Sequence, residues 1–201
     1  MTRIPTQVYS EMTPNPETMK FVVDRELIEG RNQVEFLSPE EAKEHSPLAT
    51  ELFHFPFVKS VFISSNSLTV TKDDTIGWEL IVMQLRDYLW EWLSENELAV
   101  TSIPERKAKP AGSGDAKSAV SYEKSEYDQQ IIDLLDEYVR PAVEKDGGAI
   151  DFRAFHEGTV YVELRGSCSG CPSSMMTLKG GIENLLKSEM DVVEEVVAEE
   201  M

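Results

Sequence analysis

The chain has 201 residues, with 19 Lys and Arg against 37 Asp and Glu, and a formal net charge of −18. This charge excludes a nucleic-acid platform that binds mainly by neutralising phosphates, because such a surface needs a basic stripe. Hydrophobic residues make up 41% and charged residues 28%, values typical of a folded globular protein. The length allows one or two domains.

The first residues, MTRIPTQVYSEMTPNPET, lack the apolar core of a secretory signal. They contain two acids, which is not typical of an Arg-rich, acid-poor transit peptide. No stretch reaches 18 uncharged apolar residues, so no membrane span is predicted. We therefore expect a soluble, cytoplasmic protein without a membrane partner.

Residues 105–121, ERKAKPAGSGDAKSAVS, are poor in large apolar side chains. Such a segment cannot bury enough surface to offset its ordering entropy, so it is predicted to be a flexible linker. It divides the chain into a domain at 1–104 and a domain at 122–201. Both domains are acidic, and the linker is slightly basic.

The first domain has the patterns of strands, a hairpin and helices. Short apolar runs predict a strand pair, a polar turn predicts a β-hairpin, and period-3.6 spacing predicts a long helix. Ser38 and Glu41 form a capping box that opens a further helix. In chain order, these elements are the strands 19–23 and 34–36, the helix after Ser38, the hairpin 58–63 with 68–71, and the helix 76–94.

The second domain begins with an apolar helical stripe over 127–143, which Pro141 should kink or end. Alternating residues at 150–154 and 160–164 predict a hairpin with one buried face. The loop GSCSGCPSS follows, then an amphipathic helix that starts at Pro172, and a final strand at 192–197. The fold class is therefore α+β, with two small domains that each pack a small sheet against helices.

Cys168 and Cys171 are the two cysteines of the chain, and they lie between the predicted strand and the predicted helix. Amides at a helix N-terminus favour the thiolate, which binds metals and also attacks disulfides. The motif alone therefore leaves several interpretations open. The pair is an inert structural feature, a thioredoxin-like dithiol, a structural zinc site, or an iron–sulfur site.

The ligand count constrains the metal interpretations. Zinc and iron–sulfur clusters need about four protein ligands, and one chain offers two cysteines with no nearby His. A metal site therefore requires two chains or external thiols. Against the dithiol interpretation, the proline follows the second cysteine, and the first domain has no βαβ pattern.

The run GSCSGCPSSMMTLKGGIENLL, preceded by VRPAVEKDGGAIDF, resembles the C-terminal domain of the NifU-like (Nfu) iron–sulfur cluster scaffold family. The stretches TPNPETMKF, HSPLATELF and VKSVFISSNSLTVTK resemble the N-terminal domain found in one branch of that family. The two resemblances cover residues 12–100 and 122–201.

This resemblance implies a carrier, with no catalytic turnover, that holds a 4Fe-4S cluster between the Cys-x-x-Cys motifs of two subunits. Cys168 and Cys171 match the family's cluster ligands. The implied partners are upstream cluster assembly proteins, apo iron–sulfur proteins as recipients, and a second copy in a cluster-linked homodimer. The alternative from another class is a thioredoxin-like dithiol-disulfide oxidoreductase.

Overall fold

The structure is a computed structural model that describes residues 3–30, 32–104, 125–170 and 172–200. It contains a five-stranded and a three-stranded sheet, and a separate hydrophobic core packs against each sheet. The predicted α+β class is therefore confirmed. The predicted linker 105–121 lies outside the described residues, and the domain boundaries stay a prediction. Below, residues 3–104 are called the N-terminal lobe and residues 125–200 the C-terminal lobe.

The N-terminal sheet is antiparallel, with the strand order β1-β2-β5-β4-β3. The strands are β1 (Val8–Met12), β2 (Thr18–Val23), β3 (Gln33–Phe36), β4 (Val58–Ser64) and β5 (Ser67–Lys72). The hairpin predicted from the polar turn is confirmed, because β4 and β5 pair and Ser64 is opposite Ser67. Strand β1 was not predicted, because four of its five residues are exposed and it has no apolar alternation.

The predicted pairing of strands 19–23 and 34–36 is wrong, although both strands exist. The hairpin of β4 and β5 lies between them in the sheet. The segment that joins β2 to β3 is not a tight turn, since it buries Leu27 and Ile28 in the hydrophobic core. A connection with its own core residues carries the chain past the hairpin, to the far edge of the sheet.

Three helices complete this lobe: α1 (Pro39–Lys43), α2 (Pro47–Leu52) and α3 (Trp78–Glu95). The predicted cap is present, because the Ser38 hydroxyl accepts a hydrogen bond from the Glu41 amide at 3.3 Å. Helix α3 buries Leu85, Leu89 and Leu93 against the sheet, as its period predicted. Helix α2 was too short for its periodicity to predict it.

The C-terminal lobe contains α4 (Asp128–Leu134), α5 (Arg140–Lys145), β6 (Gly148–His156), β7 (Thr159–Gly166), α6 (Pro172–Glu189) and β8 (Glu195–Glu200). A π-helical turn, Leu135–Val139, joins α4 to α5. The predicted disturbance near Pro141 therefore takes the form of a widened turn, and the helical path continues to Lys145. The predicted hairpin is confirmed by the pairing of β6 with β7.

Strand β8 pairs with β7 in parallel, and it begins at Glu195, three residues after the predicted start. A parallel pair needs a crossover connection, which α6 supplies. Thus β7, α6 and β8 form a βαβ unit, which the sequence pattern did not reveal. Residues 167–171 join β7 to α6, at the start of the crossover.

The lobes contact each other through the face of the N-terminal sheet that points away from its own core. Lys20, Thr69, Phe62 and Glu35 are direct cross-strand neighbours on this face, and we call these four residues the docking row. They lie against the ends of α5 and β7, where Gly147 and Gly166 are located. The prediction of one buried face for β7 is consequently wrong at its C-terminal end, where Glu163 and Arg165 are buried too.

Candidate functional site

Cys168 lies in the tight turn between β7 and α6. Gly166 and Gly170 have φ values of 64° and 74°, which glycine adopts without steric cost. The Ser169 amide donates to the Gly166 carbonyl at 3.1 Å and closes the turn. Helix α6 then begins at Pro172. Cys171, the other predicted ligand, lies outside the described residues, so the ligand role of the pair stays a prediction.

Cys168 is 7% exposed, belongs to the hydrophobic core of the C-terminal lobe, and packs against Gly148. A Cβ atom at Gly148 would lie 2.6 Å from the Cys168 Sγ and 2.8 Å from the Arg165 carbonyl oxygen. Both distances are shorter than real Cβ contacts, so the residue at 148 must be glycine for the thiol to occupy this position. This is a physical reason for the second glycine of the Asp-Gly-Gly sequence beside the loop.

Ser167 ties the cysteine loop to the same segment. Its hydroxyl donates to the Asp146 carbonyl at 2.6 Å, and its amide donates to the Gly147 carbonyl at 3.2 Å. The Ser167 Oγ is 3.9 Å from the Cys168 Sγ. The C-terminal lobe therefore holds the cysteine loop with hydrogen bonds to the backbone of residues 146 and 147.

Asn15, from the loop between β1 and β2, is a site residue that the sequence analysis missed. Its Nδ2 donates to the carbonyls of Ser167 and Ser169, at 3.1 and 3.2 Å. Its Oδ1 accepts from the Glu17 amide at 3.0 Å, and the residue is 3% exposed. The only signal in the sequence was its place in the stretch TPNPETMKF, between two prolines.

Residues of the docking row contact Gly147 and Gly166, beside the cysteine loop. Glu35 Oε1 accepts from the Gly166 amide at 3.2 Å, and burial raises the pKa of the Glu35 carboxyl from 4.5 to about 7. Arg165 pairs with Asp151, and its guanidinium lies 5.8 Å from the centre of the Phe62 ring. The surroundings of the loop thus combine buried charge with an apolar contact from the other lobe.

This arrangement can bind a soft metal centre through thiolate sulfur, since Cys is the ligand that iron–sulfur clusters and zinc prefer. In the part of the chain that the structure describes, no three or more His, Cys, Asp or Glu residues are grouped so that they could hold a metal ion. The helices formed by the described residues include none with the length and apolarity to cross a bilayer.

Two family models match the chain. One, described as the N-terminal domain of the scaffold protein Nfu/NifU, matches residues 8–96, and the other, described as a NifU-like domain, matches residues 131–197. The second match includes both cysteines, and the first includes Asn15 and the docking row.

Several curated relatives are similar over nearly the whole chain. The human protein named "NFU1 iron-sulfur cluster scaffold homolog, mitochondrial" is 35% identical over 197 residues, 96% of this chain and 73% of that protein. The Saccharomyces cerevisiae "NifU-like protein, mitochondrial" is 34% identical over 92% of this chain and 77% of that protein. A Drosophila willistoni relative with the same name as the human protein is 33% identical over 94% of this chain and 62% of its own length.

Proposed function

Because the chain belongs to the Nfu/NifU family of scaffold proteins, we propose that it carries an iron–sulfur cluster as cargo and delivers it to other proteins. In this proposal Cys168 and Cys171 of two subunits hold one 4Fe-4S cluster. Upstream assembly proteins supply it, and apo iron–sulfur proteins receive it. The chain binds and releases this cargo without catalytic turnover, in the cytoplasm.

The observation that carries this proposal is the position of Cys168 at a glycine turn that leads directly into a helix. Helix N-terminal amides favour the thiolate form of a cysteine, which is the form that ligates iron. A cubane cluster takes four thiolates, and each chain has two cysteines. A two-fold axis through the cluster therefore satisfies the ligand count with two identical chains.

The charge of the chain explains why the cluster would control the dimer. With a net charge of −18, two subunits repel each other unless a shared ligand holds them together. We expect a monomer without the cluster and a dimer with it. A recipient with its own thiolates can replace the ligands one after another, since each subunit contributes only two.

The alternative function is a dithiol-disulfide oxidoreductase. One observation favours it, because β7, α6 and β8 form a βαβ unit with the Cys-x-x-Cys motif at the start of its helix. In this function the motif would cycle between dithiol and disulfide in a colourless monomer. The two functions therefore predict different colours, masses and reactions.

Anaerobic reconstitution with iron and sulfide tests the proposal. The expected product is a brown dimer with four iron and four sulfide ions per two chains, measured by metal analysis and analytical ultracentrifugation without added small thiols. Cys168→Ser and Cys171→Ser should each abolish cluster binding and leave the far-ultraviolet circular dichroism unchanged. A single variant that still binds a four-iron cluster would contradict the ligand assignment, and a cluster on a monomer would contradict the shared site. Disulfide reductase turnover by the colourless chain would favour the alternative.

A further inference from the structure

The interface between the lobes includes the backbone on both sides of Cys168. The Asn15 amide donates to the carbonyls of Ser167 and Ser169, which are the two neighbours of the cysteine. Its oxygen is held by the Glu17 amide, so every polar atom of this buried side chain has a partner. Asn15 therefore bridges the N-terminal lobe and the cysteine loop with a fixed geometry.

The docking row extends this interface, and its polar members bind mostly backbone atoms. Lys20 Nζ donates to the carbonyls of residues 144 and 145 at 3.2 and 2.9 Å. Thr69 Oγ1 donates to the Gly147 carbonyl at 2.7 Å, and Glu35 accepts from the Gly166 amide. These contacts hold the two segments of the C-terminal lobe that support Cys168.

Phe62 is the apolar centre of the docking row. It is 2% exposed, yet it does not belong to the core of the N-terminal lobe. It lies against Gly166, where a Cβ would be 2.9 Å from its ring, and near the Arg165 guanidinium. Its burial therefore depends on the C-terminal lobe, and undocking would expose a large aromatic side chain.

The docked arrangement conflicts with a cluster shared by two subunits. A cluster ligand must present its sulfur at a surface that a second chain can reach, whereas Cys168 is 7% exposed. Asn15 fixes the peptide groups of Ser167 and Ser169, on both sides of the cysteine, so the loop backbone cannot move outward while these hydrogen bonds are intact. The docked N-terminal lobe therefore opposes the outward movement of the loop that would bring Cys168 to the surface.

We propose that the N-terminal lobe is an autoinhibitory cap: it docks on the cysteine loop of the cluster-free chain and must undock before two copies share a cluster. The Asn15 hydrogen bonds and the contacts of the docking row hold the cap in this position. The cluster step of this inference depends on the proposed function, but the docking of the N-terminal lobe on the cysteine loop does not. Cap docking and cluster binding then compete for the same loop.

The test measures how fast Cys168 reacts with iodoacetamide in the full-length, reduced chain. A Cys171→Ser background leaves Cys168 as the only thiol, and mass spectrometry follows its alkylation. Asn15→Asp keeps the size of the side chain but places acceptors against two carbonyls. We expect alkylation to be at least about tenfold faster, which corresponds to about 1.4 kcal/mol.

Asn66→Asp is the matched control, because the Asn66 amide also donates to a backbone carbonyl, that of Val23, but within the N-terminal lobe. Its alkylation rate should equal that of the parent. Thr69→Val removes the hydrogen bond to Gly147 with little change of shape. If Asn15→Asp does not fold, the alkylation rate of Cys168 in Thr69→Val provides the test, and we expect it to exceed that of the parent. Equal rates in the parent and in the folded docking variants would overturn the cap.

Reconstitution of the same variants with both cysteines present separates this inference from the proposed function. We expect faster cluster assembly in Asn15→Asp than in the wild type. If the thiol is more reactive in the variants but no protein binds iron and sulfide, the cap stands and the proposed function fails. If all proteins bind the cluster alike and alkylation is also equal, the function stands and the cap fails.

Discussion

Glu35 makes the stability of this protein depend on pH in a direction opposite to that of an ordinary ion-paired carboxylate. Part of the residue is exposed, but its carboxyl group is enclosed at the interface with Gly166 and Arg165. Burial raises its pKa from 4.5 to about 7, and it outweighs the Gly166 hydrogen bond and the Arg165 charge, which lower it. The folded chain thus binds a proton at pH values where the unfolded chain has lost it.

The sign and size of the effect follow from linkage. The stabilisation from the protonated Glu35 is fully present below about pH 4.5 and is lost as the pH rises through about 7. A difference of about 2.5 between the folded and unfolded pKa values corresponds to about 3 kcal/mol. Glu35→Gln keeps an oxygen that accepts from the Gly166 amide but carries no charge, so it should remove this pH dependence.

Urea unfolding at pH 5 and pH 8 measures the prediction on three proteins: wild type, Glu35→Gln, and the exposed-site control Glu97→Gln. Other groups titrate equally in all three, so the difference between profiles isolates Glu35. From pH 5 to pH 8, the free energy of unfolding of the wild type and of Glu97→Gln should fall by up to about 3 kcal/mol more than that of Glu35→Gln. If Glu35→Gln shows the same pH profile as the wild type, the assignment of a raised pKa is refuted.

Three further predictions concern the linker, the glycines and a helix cap. Cleavage within 105–121 should release a C-terminal lobe that still assembles a cluster in anaerobic reconstitution; a fragment that binds no iron would show that the N-terminal lobe builds the site. Gly148→Ala should lower the free energy of unfolding in urea, because its Cβ would lie 2.6 Å from the Cys168 Sγ and 2.8 Å from the Arg165 carbonyl oxygen. Gly180→Ala has open space around its Cβ and should raise the free energy of unfolding by up to about 1 kcal/mol. Ser46→Ala should cost about 1 to 3 kcal/mol in urea unfolding, since its buried hydroxyl caps α2 and also donates to the Ala99 carbonyl; an equal loss in the exposed-cap variant Ser38→Ala would contradict the role of burial.

The sequence determined most of the local elements and indicated the two cysteines as candidate ligands. Period-3.6 stripes predicted α3 and α6, a polar turn predicted the hairpin of β4 and β5, and the motif CSGCPSS predicted a cysteine loop between a strand and a helix. These features depend on neighbouring residues along one chain, so their patterns are visible in sequence. The resemblance to the Nfu family, confirmed by the family matches, rested on the same local motifs.

Only the tertiary structure decided which strands pair and what surrounds Cys168. Strands β2 and β3 are not neighbours, and the connection between them buries Leu27 and Ile28, a packing that no strand pattern in the sequence reports. The contact of Asn15 with the carbonyls of Ser167 and Ser169 joins residues more than 150 positions apart. Asn15 binds backbone carbonyls, which every residue has. The side chains of the loop therefore contain no pattern from which this contact could be predicted. The docking row likewise consists of an ordinary mixture of side chains, and they become one surface only because the register of four strands places them side by side.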